Sequence, residues 1–125
     1  MSEEAHVAAV VAAVNAKDGR AYTIDDLKKM PEPPQAYNEV YVMRRLSDAP
    51  NRVGGLNEGS QWRVITRAVG KHYTVAQAMR DRANAALHDT TLVVDGETYY
   101  PRRALGDDPI GPDDGWFSGT SEFQY

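Results

Sequence analysis

The 125-residue chain contains no cysteine. That excludes a disulfide scaffold, a thiolate metal site and a cysteine nucleophile, and it fits a reducing compartment. A surplus of positive charge is missing too: 14 Lys and Arg stand against 18 Asp and Glu, a formal charge of −4. Duplex binding driven by general electrostatics needs clustered excess Lys and Arg, so it is not expected. No long apolar run is present. The longest, residues 7–14, falls far short of the ~20 residues that cross a bilayer. The start Met-Ser-Glu-Glu has no basic n-region, so neither a signal peptide nor a membrane partner is expected. The length suits one domain over residues 1–125, with a core that buries roughly two-thirds of the surface an unfolded chain exposes.

Catalytic signatures are also lacking. No Gly-Lys-Ser/Thr follows the glycines, no Gly-x-Gly-x-x-Gly opens a helix, and no serine sits in a nucleophile elbow. His6, His72 and His88 show no ligand spacing, and structural or solvent roles are expected for them, with His88 complementing a helix C-terminus. Asp107, Asp108, Asp113 and Asp114 flank Pro109-Ile110-Gly111-Pro112. Four carboxylates so close raise the idea of a hard cation. The spacing does not fit a twelve-residue calcium loop, and Asp also caps turns, so a turn is expected. Catalytic residues, cofactor and metal are therefore all expected to be none.

What is present is a pattern of helices and strands. Residues 3–17 read as a helix, with Ser2 as N-cap, acidic residues in the first turn and Val7, Val10, Val11 and Val14 as an apolar stripe. Gly19 is read as its stop. Ala21-Tyr22-Thr23 suggests a short strand. Thr23 to Asp26 resembles a capping box leading into a helical turn over residues 25–30, closed by Pro31, Pro33 and Pro34. Residues 36–46 and 61–69 read as long strands. The stretch between them, residues 47–60, is a polar loop long enough to be functional or mobile. Residues 74–87 read as a second main helix with a Thr74/Gln77 capping box. Asp95-Gly96 between β-formers signals a hairpin with a type I′ turn. Residues 106–115 read as a loop. Residues 116–125 read as a final strand whose Phe117, Phe123 and Tyr125 share a face with Gly119 and Ser121. The expected class is α+β: a single antiparallel or mixed sheet with two main helices on one face.

The basic residues Arg44, Arg45, Arg52, Arg63 and Arg67 fall in or beside the two long strands. Arginine suits bidentate pairing with carboxylates at interfaces. Two readings stand: a head-to-tail subunit contact, or a solvated face with local ion pairs.

Several stretches carry a resemblance in order along the chain. Pro34-Gln35-Ala36-Tyr37-Asn38-Glu39-Val40-Tyr41-Val42 opens one strand. Gly54-Gly55-Leu56 precedes Trp62-Arg63-Val64-Ile65-Thr66-Arg67-Ala68-Val69-Gly70. Met79-Arg80-Asp81-Arg82-Ala83 lies in the second main helix. Asp114-Gly115-Trp116-Phe117-Ser118-Gly119-Thr120-Ser121-Glu122-Phe123-Gln124-Tyr125 closes the chain. This ordered set, from Val7 onward, resembles the tail terminator, or tail completion, proteins of long-tailed phages, especially those of actinobacterial hosts. The resemblance implies a structural virion protein and not an enzyme. Such a protein forms a homo-hexameric ring on the tail tube, ends tube polymerisation, and presents the surface that joins the head–tail connector. Its partners would be its own copies, the major tail tube protein and the connector protein. Genomic DNA would pass through the lumen without sequence-specific binding, which suits an acidic chain. With that assembly in view, Arg44, Arg45, Arg52, Arg63 and Arg67 are expected at or near subunit contacts, and the 47–60 loop in contact with the neighbouring tube or connector. A head-closure or neck adaptor and a small dimeric binding domain are the competing expectations.

Overall fold

The computed structural model describes residues 3–44, 62–88, 90–104 and 108–125. Three helices and eight strands alternate along them, and the expected α+β class is what they form. The expected 47–60 loop, with Arg45, Arg52 and Asp107, lies outside the described residues.

Helix α1, Glu3–Asn15, buries His6, Val10 and Val14, the stripe set by helical spacing. It stops at Asn15, two residues short of the expected span 3–17. The Asn15 side-chain oxygen accepts the Ala21 N–H at 2.7 Å. The chain then reverses through Asp18 and Arg20, both at positive φ, 60° and 51°. Gly19 is needed for room: a Cβ there would meet Val14 Cγ1 at 2.3 Å. Strand β1, Ala21–Tyr22, pairs in parallel with the next strand at Asn38 and Glu39. Helix α2, Ile24–Lys28, follows the capping signal at Thr23, whose side chain accepts the Asp26 N–H at 3.2 Å.

The long strands β2, Ala36–Arg44, and β3, Trp62–Gly70, pair antiparallel in register along their whole length. Alternation sends Asn38, Val40, Val42, Trp62, Val64, Thr66 and Ala68 to one face. Helix α3, Tyr73–Leu87, follows at once and packs there through Ala76, Met79, Ala83, Ala86 and Leu87. Its N-cap is His72, with no side-chain cap bond, so the expected Thr74 box does not form. The helix begins at Tyr73, so Thr74 lies inside its first turn and not at the N-cap. The turn out of β3 is tight, and a Cβ on Gly70 would meet the Ala76 backbone nitrogen at 2.7 Å. Asn38 is fully buried, and its amide donates to the Gly19 and Met79 carbonyls at 2.8 and 3.0 Å. One side chain thus ties the turn after α1 to α3 on the helix-covered side of the sheet.

The Asp95-Gly96 hairpin forms as expected. Strands β4, Leu92–Val94, and β5, Glu97–Tyr99, flank a turn with φ of 50° and 84°. They make a small sheet of their own, with Leu92 and Val94 in the core. Strand β6, Arg102–Arg103, and strand β7, Gly111–Asp113, both pair with β8, Trp116–Gln124. The main sheet therefore runs β1-β2-β3-β8-β6, with β7 beside β8, and β1 makes it mixed. The stretch read as a loop over 106–115 ends in β7 and a second Asp-Gly turn, Asp114 and Gly115 at φ 55° and 86°. Pro112 is tolerated because β7 is an edge strand. Phe123, fully buried, centres a core shared with Val10, Val14, Trp62, Val64 and Leu87.

The helix-free face of the sheet

The two main helices, α1 and α3, cover one face of the sheet with their buried residues, while the short α2 packs at the β1–β2 edge. The register gives the helix-free face four rows across β2, β3 and β8: Tyr37–Val69–Ser118, Glu39–Arg67–Thr120, Tyr41–Ile65–Glu122 and Met43–Arg63–Gln124. Aromatic and aliphatic side chains thus alternate with charges of both signs.

Arg67 is the hub. Its Nη1 donates to Glu39 Oε1 at 3.3 Å, and its Nη2 bonds Asp113 Oδ2, which also accepts the Ser118 hydroxyl at 2.8 Å. Glu39 is buried, 6% exposed. A buried carboxylate requires a partner, and the cross-strand position of Arg67 supplies it. Burial pulls the Arg67 guanidinium toward neutrality, but the Asp113 bond and the Glu39 charge outweigh it and hold its pKa above the usual value. The Ser118 hydroxyl, with Arg67 behind it, holds the Asp113 carboxyl below the usual range. Burial, reinforced by Glu39, pushes the Tyr41 phenol up to about 12. Burial also raises Tyr37, whose ring meets Tyr22 edge-on at 6.4 Å.

Arg63 forms a forked pair with Glu122: Nε to Oε2 at 2.9 Å and Nη2 to Oε1 at 3.1 Å. It is the more open of the two arginines, 45% exposed against 31% for Arg67. Arg44 goes elsewhere. It sits on the helix side of the sheet, its guanidinium carbon 5.5 Å from the Trp62 ring centroid. The structure therefore brings Arg63 and Arg67 together on one face and sets Arg44 on the other. The carboxylate partners are not visible in the sequence, because only the cross-strand register sets Glu39 opposite Arg67.

The remaining candidates take local roles. His6 is fully buried, accepts or donates at Nδ1 with the Tyr125 hydroxyl at 2.8 Å, and stacks on Trp62 at 3.8 Å. Burial lowers its pKa. His88 closes α3, and its Nδ1 accepts the Arg103 N–H at 3.3 Å. Asp108 accepts the Thr120 hydroxyl at 2.6 Å, and Asp114 occupies the left-handed turn. Among the described residues, no group of three or more His, Cys, Asp or Glu is placed to hold a metal ion. No helix among them is long and apolar enough to cross a membrane.

No protein-family model matches the chain, and no curated protein matches it. A solved structure whose name states no function aligns with 99% of this chain and 95% of its own, at 14% identity and a TM-score of 0.60. At that identity the likeness carries the fold alone.

Proposed function

We propose that this protein is a structural subunit of a phage tail terminator: a homo-hexameric ring that caps the tail tube, ends its polymerisation and forms the tail side of the head–tail joint. The observation that carries the reading is the helix-free sheet face. A sheet covered by helices on one side leaves its other side for solvent or a neighbour. Toward Tyr37, Glu39 and Val69 that side is already buried within the subunit. Its other end bears Tyr41, Met43 and Ile65, all partly buried, among the Arg63–Glu122 and Arg67–Glu39 pairs. Mixed apolar surface framed by paired charges is suited to a specific protein contact. A heterologous contact that closes by rotation makes a ring. The ordered motifs from Pro34 to Tyr125 support the same assembly, and the −4 charge suits a conduit through which DNA slides without being held.

In this reading Arg63, with Arg67 behind it, lies at the subunit contact. Arg44 borders it from the other side of the sheet, and Arg45 and Arg52 belong with it in sequence. The neighbours are the major tail tube protein on one side and the connector protein on the other, at the head–tail interface of the virion, after synthesis in the host cytoplasm. The experiment is in vitro tube growth. Major tail tube protein is polymerised alone and with this chain, and tube length is read by electron microscopy. Arrested tubes with a ring at one end support the proposal. Unchanged growth with no end density contradicts it.

A further inference from the structure

Helix α3 meets β8 along a seam that is polar where a core is usually apolar. Arg80 lies across β8 at Gly119. A Cβ there would fall 2.3 Å from Arg80 Nη2 and 2.9 Å from Ile110 Cγ1, so only glycine lets the guanidinium pass. Nη2 reaches the Asp108 carbonyl and, at 3.5 Å, the Thr120 carbonyl. This fastens the incoming 108–110 chain to β8. The other side of the same guanidinium is different. Arg80 Nε is buried with no hydrogen-bond partner, and so are Asn84 Oδ1 and Ser121 Oγ.

These three atoms belong together by placement. Asn84 lies one helical turn beyond Arg80 on the same side of α3. Ser121 follows Gly119 on the helix-facing side of β8. α3 and β8 both run opposite to β3, so the two steps go the same way. Ser121 is 3% exposed, and the Arg80 Nε and Asn84 Oδ1 atoms are themselves buried although their side chains are only partly so. Asn38 Oδ1, also unpartnered, belongs to β2, across β3, and is not part of this seam.

Buried polar groups are nearly always hydrogen-bonded, and a third body is the usual answer when they do not bond each other. The chemistry of the set selects that body. It has one donor, the Arg80 Nε–H, one acceptor, Asn84 Oδ1, and a hydroxyl that does either. A cation would meet the guanidinium charge. An anion would meet the Asn84 carbonyl oxygen. A small neutral group that accepts one bond and donates two fits all three. We propose that the α3–β8 seam is a built-in hydration site, in which one ordered water accepts from Arg80 Nε and donates to Asn84 Oδ1 and Ser121 Oγ. The water completes the clamp by which Arg80 holds the 108–110 chain and β8 under α3.

Two measurements test this on the full chain. A crystal structure at a resolution that shows ordered solvent should contain a peak 2.7–3.2 Å from all three atoms, the usual hydrogen-bond range. A direct Arg80 Nε–Asn84 bond, or an ion in that place, overturns the proposal. By NMR, the Arg80 Nε–H should exchange slowly and give a cross-peak to a long-lived water. That cross-peak should be lost in the Asn84→Leu, Ser121→Ala double variant and kept, weakened, in Ser121→Ala alone. An Nε–H with no water cross-peak in the wild type, or a cross-peak that survives the double variant, also overturns it. Because the wild-type readings stand alone, a variant that fails to fold does not rescue the idea.

Discussion

Replacing Arg67 by Met keeps most of the aliphatic stem and removes only the charge and its bonds. The loss can be worked from the geometry. Arg67 is the cross-strand partner of Glu39, which is 6% exposed, and the second partner, Asp113, keeps its Ser118 bond. A buried carboxylate stripped of its partner costs about 3–5 kcal/mol in a fully enclosed pair. Arg67 itself is 31% exposed, so water reaches the site and screens part of that. Hydrogen bonds to charged groups are worth about 1.5–3 kcal/mol. The expected destabilisation of Arg67→Met is therefore about 2–3 kcal/mol. Arg63→Met is the internal control. Its pair with Glu122 has the better fork but is 45% and 28% exposed, and exposed pairs contribute about 0–1 kcal/mol. Urea unfolding at neutral pH, with the slope unchanged between variants, measures both. Equal destabilisation of the two variants, or a larger effect at Arg63, would refute the reasoning that burial of Glu39 sets the scale. Glu39→Gln in the Arg67→Met background should restore part of the loss, because the orphan is then neutral.

Further outcomes follow from the core and the turns. His6 is neutral in the fold and its pKa is lowered, while the unfolded chain binds the proton near the ordinary value. The stability held by neutral His6 is therefore present above about pH 6.5 and lost as pH falls below it. Thermal unfolding of His6→Gln should lose that acid dependence relative to the wild type. Phe123→Ala removes the largest fully buried side chain and should lower stability by about 3–5 kcal/mol in the same urea assay. Gly119→Ala should displace Arg80 from the Asp108 carbonyl, read as faster amide exchange at Asp108, whereas Gly111→Ala, with open space around it, should leave exchange unchanged. Arg63→Glu, opposite its own Glu122, should abolish ring assembly while far-ultraviolet circular dichroism stays that of the wild type. Retained assembly counts against the helix-free face as the contact.

Much of the fold could be read in advance because its signals are local. The Val10–Val14 stripe, the two long strands, the Thr23 cap and the Asp95-Gly96 turn each depend on residues within a few positions of one another. Asp114-Gly115 carries the same turn chemistry as Asp95-Gly96, but the Gly-Pro-Asp before it hides the strand, since its pairing to β8 comes from the tertiary fold and not from β-propensity. The Thr74 box does not form because α3 starts at Tyr73, with His72 as N-cap, which places Thr74 inside the first turn. The site was legible in part. The arginines stand out in the sequence, but their partners depend on cross-strand register. Arg44 and Arg63, close in sequence pattern, part to opposite faces because alternation along paired strands separates them.

The central claim is termination of the tail tube, and its most direct measurement is tail length in particles assembled without this protein. Electron microscopy of such particles should show tails of uncontrolled length with no heads attached. Tails of normal, uniform length lacking only their heads would contradict termination and favour the neck adaptor instead.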